Sequence, residues 1–187
     1  MKKNLFPLMV ALVLLLHILI AAASLAEGFP TGAWGYRNDA AEPVLQLNGD
    51  GTALYESIEY AWEDDGQFII LTGDGGQALR LRYMVTETGP WLYKPISYTR
   101  KEGVAGEGIR GVWNMDGSEQ GFFEFSDKDT FLEDGLFDGT YTVNYEAGSF
   151  TLTYPRYFDD TVCYFEINGD RMIVEYPMKL VEFQQAE

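Results

Sequence analysis

Apolar and polar positions alternate with a period of two over most of the chain beyond residue 26, and helical spacing is hard to find there. Leu79, Leu81, Tyr83 and Val85 fall on one face, with Arg80, Arg82 and Met84 on the other. Tyr141, Val143 and Tyr145 alternate with Thr140, Thr142 and Asn144. Phe150, Leu152 and Tyr154 alternate with Ser149, Thr151 and Thr153. Each stretch reads as a half-buried strand. Between them stand short Gly-containing links: Asn48-Gly49-Asp50-Gly51, Asp64-Asp65-Gly66, Gly73-Asp74-Gly75-Gly76, Gly89-Pro90, Asp116-Gly117, Asp134-Gly135, Asp138-Gly139, Ala147-Gly148 and Asn168-Gly169-Asp170. Such links supply the positive φ that tight hairpins require. Their even spacing predicts an all-β antiparallel meander, because parallel strands would need long crossovers.

The pattern occurs twice. Gly32-Ala33-Trp34 returns as Gly111-Val112-Trp113, and each is followed by an apolar alternation, a polar turn and a Thr: Leu45 to Thr52 in the first copy, Phe123 to Thr130 in the second. Trp62 to Phe68 then answers to Tyr145 to Phe150, and Tyr83 to Tyr93 answers to Tyr164 to Val174. The chain therefore divides into a signal segment (1–26), a first repeat (28–100), a Gly-rich linker (101–108) and a second repeat (109–187), with about five or six strands per repeat. Two small closed or partly open units are expected. The alternative is one composite barrel of ten or more strands, favoured by the weak core that about 75 residues build without disulfides.

Gly-x-Trp opening a β-meander, the turn Asn48-Gly49-Asp50-Gly51-Thr52 and a closing strand ending in Tyr98-Thr99-Arg100 together resemble the small lipocalin-like domains of exported bacterial proteins, here in tandem duplication. The resemblance implies up-and-down barrels with Gly32, Trp34, Arg100, Gly111 and Trp113 as structural anchors. It further implies that Arg100 lies over Trp34 at the closed end of the first barrel. The corresponding strand of the second repeat, Leu180-Val181-Glu182-Phe183, holds no arginine, so Trp113 is expected to lack such a lid.

Met1-Lys2-Lys3-Asn4 followed by an apolar run from Leu5 to Ala23 and then Ser24-Leu25-Ala26 reads as an export signal cleaved after Ala26. An uncleaved anchor is the alternative, since the run approaches the ~20 residues of a spanning helix. Cleavage removes Lys2, Lys3 and the single histidine, His17, and takes the net charge from −16 to −18. The mature chain then has no histidine for Ser/His or Cys/His catalysis, for metal ligation or for pH switching. So acidic a surface does not suit nucleic acid. Cys163 has no cysteine to pair with, and its setting, Thr161-Val162-Cys163-Tyr164-Phe165, reads as a buried strand position.

Asp50, Asp64, Asp65 and Asp74 lie in Gly-rich loops that invite a calcium reading, but no stretch has the alternating ligand spacing of an EF-hand. Among 29 acidic residues some pair always suits glycoside hydrolysis, and the abundance removes the signal. Trp62, Trp91, Tyr93, Tyr98, Tyr141, Tyr145 and Tyr154 either fill a core or line a ligand cavity. Arg80 and Arg82 pair with neighbouring carboxylates or hold an anion. No catalytic residue, metal or cofactor is expected. The reading is a secreted, monomeric, non-enzymatic binding protein for a small apolar molecule, a peptide or an envelope component, touching membrane only through an uncleaved N-terminal segment. The alternatives are a protein-interaction or inhibitor domain using strand edges or acidic loops, and then a carboxylate-based hydrolase.

Overall fold

A computed structural model describes residues 28–36, 42–156 and 158–183. The export segment and the expected cleavage site after Ala26 lie outside the described residues. The chain is all-β. Its N-terminal half forms β1 (Gly32–Gly35), β2 (Leu45–Leu47), β3 (Thr52–Tyr55), β4 (Ile58–Asp64), β5 (Phe68–Thr72), β6 (Ala78–Thr86) and β7 (Gly89–Glu102). The C-terminal half forms β8 (Gly111–Met115), β9 (Phe122–Phe125), β10 (Thr130–Glu133), β11 (Phe137–Asn144), β12 (Ser149–Thr153), β13 (Thr161–Asn168), β14 (Arg171–Lys179) and the short β15 (Val181–Glu182). Seven strands precede the Gly-rich stretch rather than five or six, because β2 and β3 are only 3 and 4 residues long. The tightest link, Glu56-Ser57, has φ of 48° and 66°, the paired left-handed conformation of a two-residue hairpin.

Every strand pairs antiparallel with its sequence neighbour from β1 to β14, and two further pairings close the sheet. β14 returns to β7, from Arg171 opposite Thr99 to Lys179 opposite Trp91, so β7 to β14 form a closed eight-stranded barrel. Past Lys179 the same strand runs on. Leu180 N donates to Pro90 O at 2.9 Å, and β15 then flanks β1, with Val181 opposite Gly35 and Glu182 opposite Trp34. A second ring therefore runs from β1 to β7 and back through β15. The sheet is continuous, as the composite alternative requires, but the β7–β14 pairing divides it in two.

Strand β7 is what joins the rings. Its first residues pair with β6 and its last with β8, while β14 covers its other side throughout. Each ring is thus completed by a strand from the other half. The expected boundary at Lys101 falls in the last two residues of β7, which ends at Glu102. Between the two zones of neighbour pairing, β7 carries Pro95 and β14 carries Pro177. Proline cannot donate to a ladder, so it suits stretches where a strand is paired on one side only.

Two apolar cores follow from the alternation. The N-terminal ring is filled by Leu45, Leu47, Ile69, Leu71, Leu81 and Leu92, with Leu180 inserted from the end of the chain. The C-terminal ring is filled mainly by rings: Trp113, Phe123, Phe125, Phe131, Phe150 and Phe165. Leu81 and Tyr83 point inward and Met84 outward, as their parity predicts. Cys163, on β13, is fully buried in the C-terminal core, and burial pushes its thiol pKa well up.

Candidate functional site

Both Gly-x-Trp tryptophans are held by the same local bond. Trp34 Nε1 donates to Pro30 O at 3.2 Å and Trp113 Nε1 to Ile109 O at 2.7 Å, each four residues upstream. The glycines have φ of 136° and 119°, a region that disfavours side chains, and a Cβ on Gly111 would also strike Glu102 O. What covers each indole differs, and it corrects the pairing implied by the resemblance. Arg100 lies over Trp113, its Cζ 4.0 Å from the ring centroid, and not over Trp34. Its Nη1 donates to Arg110 O at 2.6 Å, its Nη2 to Gly108 O at 3.0 Å, and its Nε lies 3.4 Å from Asp170 Oδ1. The side chain is only 3% exposed. The reason is the closure across halves: Arg100 lies near the end of β7, which pairs with β8 and sets it directly opposite Trp113. Trp34 instead has Glu182 as its cross-strand neighbour and meets Phe29 edge-on at 5.9 Å.

The acidic turns are occupied by their own backbone. Asp50 accepts from Thr52 N and Oγ1, which holds its carboxyl below the usual range. Asp65 accepts from Gln67 N and Phe68 N and pairs with Arg80 at 3.1 Å; the two backbone bonds lower its pKa most. Asp64 ties three segments together, accepting from Phe29 N at 2.7 Å, Gly66 N at 2.7 Å and the Tyr83 hydroxyl at 2.8 Å. Arg82 pairs with Glu175 at 2.7 Å and lies 3.9 Å over Tyr164. Both arginines are thus spent on carboxylates and rings.

A cleft of about 1090 Å³ opens where the rings part, between the β6–β7 and β13–β14 ends and beneath the segment that links β12 to β13. Trp91 and Tyr93 of β7 form its floor, Tyr164, Tyr176 and Pro177 one wall, and Tyr154, Phe158 and Asp160 its roof. Trp91 and Tyr93 share a face because they are two apart on a strand, and that face is opposite to the core residue Leu92. Tyr93 is 7% exposed and packs edge-on against Tyr164 at 5.4 Å. Trp62 Nε1 donates to Asn48 O, so three of the four indoles have a backbone acceptor. Trp91 has none among the described residues, and neither do the Tyr93 and Tyr164 hydroxyls.

At the back of the cleft Tyr154 donates to Glu133 Oε2 at 2.6 Å. Burial raises the Glu133 pKa above the ordinary glutamate range. Tyr176 beside it is raised to about 12, first by burial and then by the Glu133 charge.

Of the seven aromatics singled out in the sequence, Trp91, Tyr93 and Tyr154 line the cleft, Tyr98 and Tyr141 are core, Trp62 packs against the core, and Tyr145 is 61% exposed. Phe158, Tyr164 and Tyr176 were not anticipated. Pro177 beside Tyr176, matching Pro95 in the other long strand, is the sequence signal that marks this place. Comparisons of the chain with protein-family models, with curated proteins and with solved structures returned no match.

Proposed function

We propose that the protein is an exported, monomeric, non-enzymatic binding protein made of two tandem lipocalin-like halves, and that its ligand sits in the outer cleft between the rings and not inside either one. The observation that carries this reading is the set of unpaired donors, the Trp91 indole and the Tyr93 hydroxyl, on the floor of an aromatic cleft of ligand size. Tyr93 is 93% buried, and its hydroxyl still reaches solvent where the residue lines the cleft, so an acceptor of a bound molecule can take the place of water there. Both ring interiors are occupied by their own side chains, with Leu45, Ile69 and Leu71 in one and Trp113, Phe123 and Phe150 in the other at 0 to 1% exposure, which leaves carriage inside a barrel without support. Closure of both rings argues in the same direction against binding through strand edges.

Duplication is supported by corresponding bonds. Trp62 Nε1 reaches back to Asn48 O in one half and the Tyr141 hydroxyl to Ser126 O in the other, both at the turn before the next strand. Export is supported by the N-terminal pattern, and N-terminal sequencing of the secreted protein is expected to begin at Glu27. To test the binding reading, the indole N–H resonances of the mature protein are followed while an apolar dye, a peptide and an oligosaccharide are added separately. A shift confined to Trp91 is expected. Shifts of Trp113 and Trp34 without Trp91 would place the ligand in the ring interiors and overturn it.

A further inference from the structure

Resting on the cleft reading above, we infer that the occupant is an extended, proline-containing peptide with a basic side chain. The floor of the cleft offers donors and aromatic surface: the Trp91 indole N–H and the Tyr93 and Tyr164 hydroxyls. A polyproline II segment is complementary to that surface, because it makes no internal hydrogen bonds, leaves its carbonyls free and docks into aromatic-lined grooves. Other peptide conformations fit less well. An added β-strand needs a free ladder of some length, and the free stretches beside the cleft are short or broken by proline: residues 93–97 of β7 hold Pro95, and residues 161–163 of β13 are three long. The one stretch of β14 without a partner on its outer side, residues 176–179, contains Pro177, which has no N–H to give. A helix uses its carbonyls internally and offers no acceptors to the Tyr93 hydroxyl and the Trp91 indole.

Charge supplies the second element. Asp159 and Asp160 line the cleft, exposed and without an ion pair among the described residues, and Arg156 is the one cation among the lining residues, with Lys179 across the ladder from Trp91. The whole chain carries −16. A lysine or arginine of the peptide is therefore attracted to the mouth, and its stem or guanidinium can lie on the adjacent rings. An uncharged glycan would stack on the same aromatics but make no use of the rim charge.

The test uses the mature chain and three probes: a proline- and leucine-rich dodecapeptide with one terminal arginine, the same peptide with that arginine replaced by glutamate, and a chitohexaose. The arginine peptide is expected to shift the Trp91 indole resonance and to bind more weakly as salt rises. Trp91→Phe is expected to weaken it about tenfold and Tyr93→Phe about threefold, as for an anchor and one supporting donor. Asp159→Asn with Asp160→Asn is expected to weaken the arginine peptide about threefold and leave the glutamate peptide unchanged or tighter. Unchanged Trp34, Trp62 and Trp113 resonances show that each variant is folded. Equal binding of the two peptides overturns the basic requirement. A Trp91 shift with chitohexaose or with an apolar dye, but not with the arginine peptide, overturns the peptide inference and leaves the cleft reading standing. No Trp91 shift with any probe or with the dye overturns both.

Discussion

In the C-terminal ring Trp113 is wholly buried, and a guanidinium held by two carbonyls and a carboxylate covers its face. In the N-terminal ring Trp34 is half-buried, with an aromatic edge on one side and a glutamate across the ladder. The residues opposite the two Gly-x-Trp motifs differ in the same sense: Leu47 and Leu45 face Gly32 and Trp34, whereas Phe125 and Phe123 face Gly111 and Trp113. One ring has an aliphatic core, the other a stacked and edge-to-face aromatic one, with Phe125 5.0 Å from Tyr141 and 5.4 Å from Phe150. The difference teaches that the lid of a ring is encoded in the opposite half. Arg100 belongs by sequence to the N-terminal half and by contact to the C-terminal ring.

The sharpest way to break this comparison is to separate the halves. Residues 28–102 and 103–187, expressed alone, are each expected to lack cooperative unfolding, because each has lost a strand that closes it; mixed together they are expected to regain it. Near-UV circular dichroism of each piece and of the mixture measures this, and a half that folds alone would show that its ring does not depend on the other.

Next in size is the pair of tryptophans. Trp113→Ala is expected to cost about 4 kcal/mol, the range for a fully buried large ring, and Trp34→Ala about half of that. Urea unfolding gives both numbers, and equal costs would erase the asymmetry. Third come the residues that face them. Arg100→Ala strips the cation from its carbonyls, carboxylate and ring and is expected to cost about 3 kcal/mol. Glu182→Ala, at the equivalent place in the other ring, is expected to stay within about 0.5 kcal/mol. A comparable loss in both would mean that Glu182 covers Trp34 in its own way.

The smallest effect concerns Glu133, in the aromatic-rich ring. Its folded pKa lies above its unfolded one, so its contribution to stability is complete below the ordinary glutamate range and is lost as pH rises through the raised value. Glu133→Gln, which keeps an oxygen for Tyr154, is expected to raise the urea midpoint at pH 7 and flatten the pH dependence between those limits. A lower midpoint across the whole range would show that the carboxylate's hydrogen bond outweighs its desolvation.

Strand parity was legible because it is local. Leu79 to Val85 and Phe150 to Tyr154 declare their inward face by alternation alone, and the Gly-rich links declare the meander. Partner choice was not, because nothing in Tyr98-Thr99-Arg100 says which Gly-x-Trp strand it will lie beside. Tyr141 and Tyr145 lie on the same face of one strand pattern, so parity cannot separate them; the structure buries Tyr141, whose hydroxyl donates to Ser126 O, and leaves Tyr145 exposed. The cleft was legible in part: Trp91, Tyr93 and Tyr154 stood out as aromatics, but their meeting with Tyr164 and Tyr176 depends on how far apart the rings are set.

Leu180 and the two residues of β15 carry a consequence for how the molecule is made. Leu180 bonds to Pro90 and β15 flanks β1, so β1 stays without its second neighbour until β15 has been synthesised. Pairings between such distant positions form slowly, because the intervening chain must be ordered first. A chain cut short before Val181 has every other strand yet still leaves one ring open, with an unsatisfied edge along β1. Completion of the sheet therefore waits on the two residues of β15, however early the other strands have formed.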